Sequence, residues 1–321
     1  MMISTERFNP MDYPLAFAWP RLLSPGSAWV PHTPFAMALI GLCRPDRLVE
    51  LGALHGDSYC SMCQAVQALK LPTRCTAIDT WQGDPHNGMY GPDVLQTLRE
   101  HHDPLYAEFS NLWQTTFDEA VLQMKDGSID LLHIDGFHTY DAVKHDYETW
   151  KPKLSRRGVV MFHDTRVRES GFGVWKLWEE VTSQFPNFEF HHSFGLGVLA
   201  VGAEAPPALL QFLEMANRDP DTVRSFFRYI GDAVDNARMA VAMMTNVQRL
   251  QDLLDKRKKL VGETINSMDM REAFRSPLRY MEHMMVDVQA LTIGELRLRG
   301  FDVRADAPPT SPTPPTPPDK A

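Results

Sequence analysis

An α/β fold organised on a parallel sheet is predicted by three observations. First, Ile129–Thr165 reads IDLLHIDGFHTYDAVKHDYETWKPKLSRRGVVMFHDT, in which two short aliphatic runs, Ile129–Ile134 and Val159–Phe162, flank one helical segment. That is the pattern of a βαβ unit, whose strands are parallel neighbours. Second, the run Arg47–Leu51 leads into Gly52-Ala53-Leu54-His55-Gly56-Asp57-Ser58, a glycine turn ahead of a helix. Third, Arg74–Ile78 is another strand-length run and ends in Asp79. Strands of such a sheet are buried on both faces, and ligands gather beyond their carboxyl ends.

Taken in order, residues 1–32 are rich in proline and aromatic residues without a clean period. They are expected to pack on the domain or to form a flap near its site. Thr33-Pro34 looks like an N-cap followed by proline at the first helical position, so PFAMALIGLC is expected as a helix ending near Pro45. After the first strand, the glycines at 52 and 56 allow a tight turn and let a ligand approach the free N–H groups of the helix start. The turn is not the dinucleotide fingerprint GxGxxG, because position 54 is Leu. Cys60 and Cys63 form a CxxC inside the next helix, near Cys43 and Cys75; lacking partners at metal spacing, they read as buried structural cysteines. An acid such as Asp79, at the tip of strand two, is where a nucleotide-like ligand has its ribose hydroxyls accepted. Glycine turn and acid together favour an adenosine-type cofactor.

The loop TWQGDPHNGMYGPD is long, polar and aromatic, and is expected to be a substrate-facing lid. A helix near Val94–His102, a strand near Ser110–Gln114 and a helix over Thr116–Met124 follow. Beyond the βαβ unit, Gly173–Phe185 is an amphipathic helix, and Phe188–His192 with Leu196–Val201 reads as a closing hairpin. His191-His192 reads as strand-face filler, and His145 and Asp146 as helix-surface residues.

Adjacent strands lie ~4.8 Å apart, so Asp135 and Asp164, just past the two strands of the βαβ unit, should share one lip of the sheet with His138 and His163. A core would not select two acids and two imidazoles there. His138 is the natural general base, since an unperturbed imidazole titrates near neutrality; the competing role is capping or orienting a substrate.

The 321 residues, 44% of them hydrophobic, suit one sizeable domain plus an extension. No apolar run approaches the ~20 residues of a membrane helix, the N-terminus does not read as a signal peptide, and four cysteines point to a reducing, cytoplasmic setting. Residues 1–202 hold 16 Lys+Arg against 24 Asp+Glu, a net −8, which disfavours nucleic acid as a partner. The expected organisation is a lead-in and helix over 1–43, a catalytic domain over 44–202, a helical extension over 203–306 and a disordered Pro/Thr tail over 307–321. In the extension, Phe227, Ile230, Val234, Ala237, Val241 and Met244 form a heptad seam, which Val247, Leu250 and Leu254 continue one residue early. A second helical stretch is expected over Ser267–Leu298. The extension is expected to fold back on the domain, or to support homo-oligomer formation or docking on a partner enzyme.

VELGALHGDS, AIDTWQGDPHNGMYG and the Ile129–Thr165 stretch, with its IDGxHxY followed by HDT, resemble a class I S-adenosylmethionine-dependent methyltransferase. The branch most similar is the small-molecule one often associated with sugar and polysaccharide biosynthesis. The resemblance covers about residues 44–202 and implies a Rossmann-like, mostly parallel seven-stranded sheet of order 3-2-1-4-5-7-6 with the last strand antiparallel. It implies S-adenosyl-L-methionine as cofactor, held by Glu50, Gly52, Gly56, Ser58, Asp79, Thr116 and Asp135. It further implies a divalent metal, magnesium or manganese, on Asp135 and Asp164. The second acid usual beside Asp164 is replaced here by His163, and imidazole suits manganese better than magnesium. The activity implied is O-methylation of a sugar, glycan or other polyhydroxylated acceptor by Asp135, His138 and Asp164. The alternative is a cofactor-binding assembly subunit without its own turnover.

Overall fold

The computed structural model describes residues 7–86 and 88–267. Their elements run α1 (Thr33–Cys43), β1 (Arg47–Leu51), α2 (Asp57–Ala68), β2 (Arg74–Asp79), the two-residue strands β3 (Gly83–Asp84) and β4 (Gly88–Met89), and α3 (Asp93–Tyr106). They continue with β5 (Ser110–Gln114), α4 (Phe117–Val121), β6 (Ile129–Ile134), α5 (Tyr140–Trp150), β7 (Leu154–His163) and α6 (Val174–Thr182). β8 (Asn187–Phe190), β9 (Leu196–Ala200), α7 (Pro207–Arg218) and α8 (Pro220–Ser267) complete the series.

Seven strands form one sheet in the order β5-β2-β1-β6-β7-β9-β8. β5, β2, β1, β6 and β7 are parallel, and β9 runs antiparallel to both β7 and β8. Setting aside the small β3–β4 ladder, this is the order 3-2-1-4-5-7-6. Every residue of the central strand β6 is buried, as a parallel strand covered on both faces requires. Of its polar members, Asp130 accepts hydrogen bonds from the Asp46 N–H and the Ser155 hydroxyl, and His133 faces Glu50.

Two apolar layers enclose the sheet. On one face α1, α2 and α7 pack with an aromatic group in which Phe35 lies 4.4 Å from Phe190 and 5.3 Å from Phe227, centroid to centroid. Phe8 and Tyr13 of the lead-in join this group. On the other face α5 and α6 supply Tyr147, Trp150 and Trp178.

Several boundaries differ from expectation. β7 starts at Leu154, which pairs with Ile129 ahead of a register shift; Ser155, Arg156 and Arg157 are polar, so hydropathy hides this half of the strand. Thr33 is not an N-cap: a 3-10 turn over Val30–His32 runs straight into α1, and the Thr33 hydroxyl donates to the Val30 carbonyl. α4 is shorter than expected, with Thr116 as its N-cap in a capping box with Glu119. His191 and His192 lie past the end of β8, and His192 reaches the Pro31 carbonyl at 3.3 Å.

The chain divides into two units, Met1–Met243 and Met244–Ala321. In the first, Phe227 and Val234 of α8 are buried. The later seam residues Val241, Met244, Val247, Leu250 and Leu254 are 49–71% exposed. Most of the second helical stretch, and the tail, lie outside the described residues. No helix among the described residues is long and apolar enough to cross a membrane.

Candidate active site

The site forms where β1, β2, β6 and β7 end. The Asp135 N–H donates to the Leu51 carbonyl, and Gly52 N–H to the Ile78 carbonyl, so the three strand tips are tied together. Gly52 has φ +86°, and a Cβ there would overlap the Asp135 carbonyl oxygen. Only glycine allows that backbone approach. Asp79 then holds the turn: one carboxylate oxygen accepts from Ala53 N–H (2.9 Å) and Leu54 N–H (3.0 Å), the other from Trp81 N–H (2.7 Å). Trp81 closes the loop by donating its indole N–H to the Leu54 carbonyl.

Above these tips lies a cavity of about 750 Å³, within the size range of small-molecule sites. Gly52, Ser58, Asp79, Thr116, Asp135, His138, His163 and Asp164 all line it. Glu50 stands behind the turn: fully buried, it accepts from the Ser58 hydroxyl at 2.6 Å and lies 3.0 Å from His133 Nδ1. Burial pushes the Glu50 carboxyl up, against the pull of His133. Gly56 adopts φ +84° in the turn and packs on Leu98.

At the β6–β7 end, His138 Nε2 lies 3.0 Å from Asp164 and 3.8 Å from Asp135. His163 Nδ1 is 3.4 Å from each of the same two carboxylates. Asp164 adopts the left-handed backbone, φ +60°, which aspartate tolerates better than most residues. Burial pulls His138 down, but the two carboxylates overcome it and push it up to about 9. His163 is likewise raised by Asp164 and Asp135 against its burial. Burial would raise both acids; the adjacent imidazoles instead hold Asp135 and Asp164 low.

The polar loop after β2 contributes His86, whose Nδ1 stands 3.3 Å from His138 Nδ1. Both rings stack on Phe172, at 4.6 and 4.5 Å between centroids. The loop therefore covers His138, in keeping with a lid over the site.

Residues 49–165 match a family model described as a methyltransferase domain. Over that stretch the chain is similar to a methyltransferase domain. A 273-residue stretch is 40% identical to an uncharacterized protein, y4gI, of Sinorhizobium fredii, covering 83% of this chain and 29% of that one. The chain thus spans less than a third of that relative's length. Similar solved structures include the SAH-bound Podospora anserina methyltransferase PaMTH1 (12% identity, TM-score 0.42, 53% of this chain and 77% of that one). A methyltransferase from Geobacter sulfurreducens is similar at 14% identity, TM-score 0.41, 53% of this chain and 78% of the other. Likenesses this distant carry no weight for the chemistry.

Three features of the site were not legible in the sequence. Trp29 of the lead-in is buried against His133 and lines the cavity, so the lead-in both packs and walls the site. Phe172 precedes α6 as part of no motif. Asp146, expected on the surface, is 7% exposed and lines the cavity, whereas His145 is exposed and paired with Asp118 at 2.7 Å. A helical wheel would have found Asp146, because it shares the buried face of α5 with Val143, Tyr147 and Trp150.

Proposed function

We propose that the methyltransferase domain binds S-adenosyl-L-methionine between the glycine turn and Asp79 and methylates a hydroxyl of a sugar, glycan or other polyhydroxylated small molecule, assisted by a divalent cation. The observation that carries this reading is the convergence of Asp135, His138, His163 and Asp164 on one lip of the cavity.

The residues fit both groups. A left-handed glycine turn and an acid at the next strand tip make a cradle for an adenosine moiety, and the first turn of α2 has no side-chain cap. For the cation, ligand atoms of Asp135, His138 and Asp164 all lie within 4.8 Å of one another. Asp135 and Asp164 would hold it, with His163, whose Nδ1 stands 3.4 Å from each carboxylate, as third ligand in place of His138; that donor set suits manganese better than magnesium. Bound there, the two groups supply an activated methyl and a charge that lowers the pKa of the acceptor hydroxyl.

The chain's own part is positioning and proton transfer. Asp79 accepts the ribose hydroxyls, exchanging some of its backbone donors for them. Asp164 holds a proton on His138 Nε2; a cation on the two carboxylates would offset the charge that raises His138 to about 9, freeing Nδ1, which stands 3.3 Å from His86 Nδ1, to receive the proton of the attacking hydroxyl. Phe172 and the His86 loop shield that nitrogen from water and keep its ring in plane. The polysaccharide setting and the cytoplasmic location rest on the family resemblance and on four buried, unpaired cysteines.

The test is release of S-adenosylhomocysteine from S-adenosylmethionine across a panel of polyhydroxylated acceptors, with and without chelator. Turnover that falls on chelation and returns with manganese supports the reading. Turnover indifferent to chelator removes the cation, and cofactor binding without turnover on any acceptor favours the assembly-subunit role.

A further inference from the structure

The cavity wall holds one carboxyl that the proposed chemistry leaves unused. Asp146 is 93% buried, given its 7% exposure, and it lines the cavity. It has no hydrogen-bond donor among the described residues. Proteins seldom bury a carboxyl without a donor, so the missing donor is expected from a ligand.

Its surroundings define the ligand. Gly136 has no side chain, and a Cβ there would overlap the Phe117 ring and stand 3.3 Å from Asp146 Oδ2. The carboxyl and the aromatic edge therefore flank the same glycine, in a corner that Thr116 and Asp118 also line. Asp118 is occupied by His145 Nε2 at 2.7 Å. β5, which feeds this corner, pairs with β2 so that Gln114 stands beside Asp79. A flat ring carried on a ribose held by Asp79 would meet this corner, with an apolar wall and one hydrogen-bond acceptor waiting.

We propose that Asp146 reads the adenine of the cofactor by accepting a hydrogen bond from its exocyclic N6 amine. The inference rests on the cavity being the S-adenosylmethionine site. Burial pushes the free Asp146 carboxyl up to about 7, with His145 pulling it down and Asp118 adding to the rise. Both protonation states keep an acceptor oxygen for the amine, and the neutral form adds an O–H for the adjacent ring nitrogen.

The experiment is calorimetric titration of the full chain with S-adenosylhomocysteine and with S-inosylhomocysteine, which carries a carbonyl where adenine carries its amine. Wild type is expected to prefer the adenosyl compound by ~10-fold or more, the value of one charge-assisted hydrogen bond. Asp146→Asn keeps the shape and offers both a donor and an acceptor, so the preference should shrink to about threefold or less while the adenosyl compound still binds. Asp146→Ser, which shortens the side chain, should weaken the adenosyl compound and lose the preference as well. An unchanged preference in folded Asp146→Asn overturns the assignment and leaves the cofactor site standing. If wild type binds neither compound, the assignment falls together with the proposed function.

Discussion

Asp135 and Asp164 meet because each follows directly on the end of a buried strand, where the chain must leave the sheet, and His138 lies three residues past Asp135 in the same exit. That made them legible: apolar runs broken by Asp are visible without any structure. Asp146 was not, because a charged residue among helix residues reads as solvated until the buried face is drawn. The same scale carries two predictions. His138→Ala should lower turnover ~10²–10⁴-fold, the usual contribution of a positioned base, with S-adenosylhomocysteine affinity near wild type; initial rates and titration check both, and full activity would remove His138 as the base. Gly52→Ala forces a side chain into the left-handed region and onto the Asp135 carbonyl. It should cost roughly 2 kcal/mol or more of stability, read from denaturant unfolding, and a wild-type midpoint would contradict the backbone approach.

At the scale of elements, strand existence was plain and strand ends were not. β1 and β5 match their expected bounds, whereas β7 gains His163 at its end and five residues at its start, where Ser and Arg side chains mask its periodicity. α5 carries the test here. Burial raises its Asp146 in the folded protein to about 7, well above the ordinary carboxylate range, so the protonated form favours folding. That stabilisation is complete below about pH 4 and is lost as pH rises to 7. Replacing the residue by Asn removes the linkage, together with the lift that Asp146 gives His145. Between pH 5 and 8 wild type should lose roughly 2–3 kcal/mol more stability than Asp146→Asn, measured by urea unfolding at both values. Parallel pH profiles would mean that water already satisfies the carboxyl.

For the whole molecule, composition fixed the class and the acidic front half argued against nucleic acid, but the fate of the extension was open. The heptad seam splits: its first residues complete the aromatic core, and those from Val241 onward are exposed. An apolar stripe of that length invites a second copy. Val247→Lys with Leu250→Lys should lower the mass seen in light scattering, with cofactor affinity unchanged; a monomeric wild type would end the self-association reading. The account as a whole stands on the cavity being a cofactor site, and titration of the full chain with S-adenosylhomocysteine tests it most directly. Saturable one-to-one binding, weakened ~10-fold or more in Asp79→Ala, is the predicted result; no heat of binding, or equal affinity in the two proteins, would contradict it.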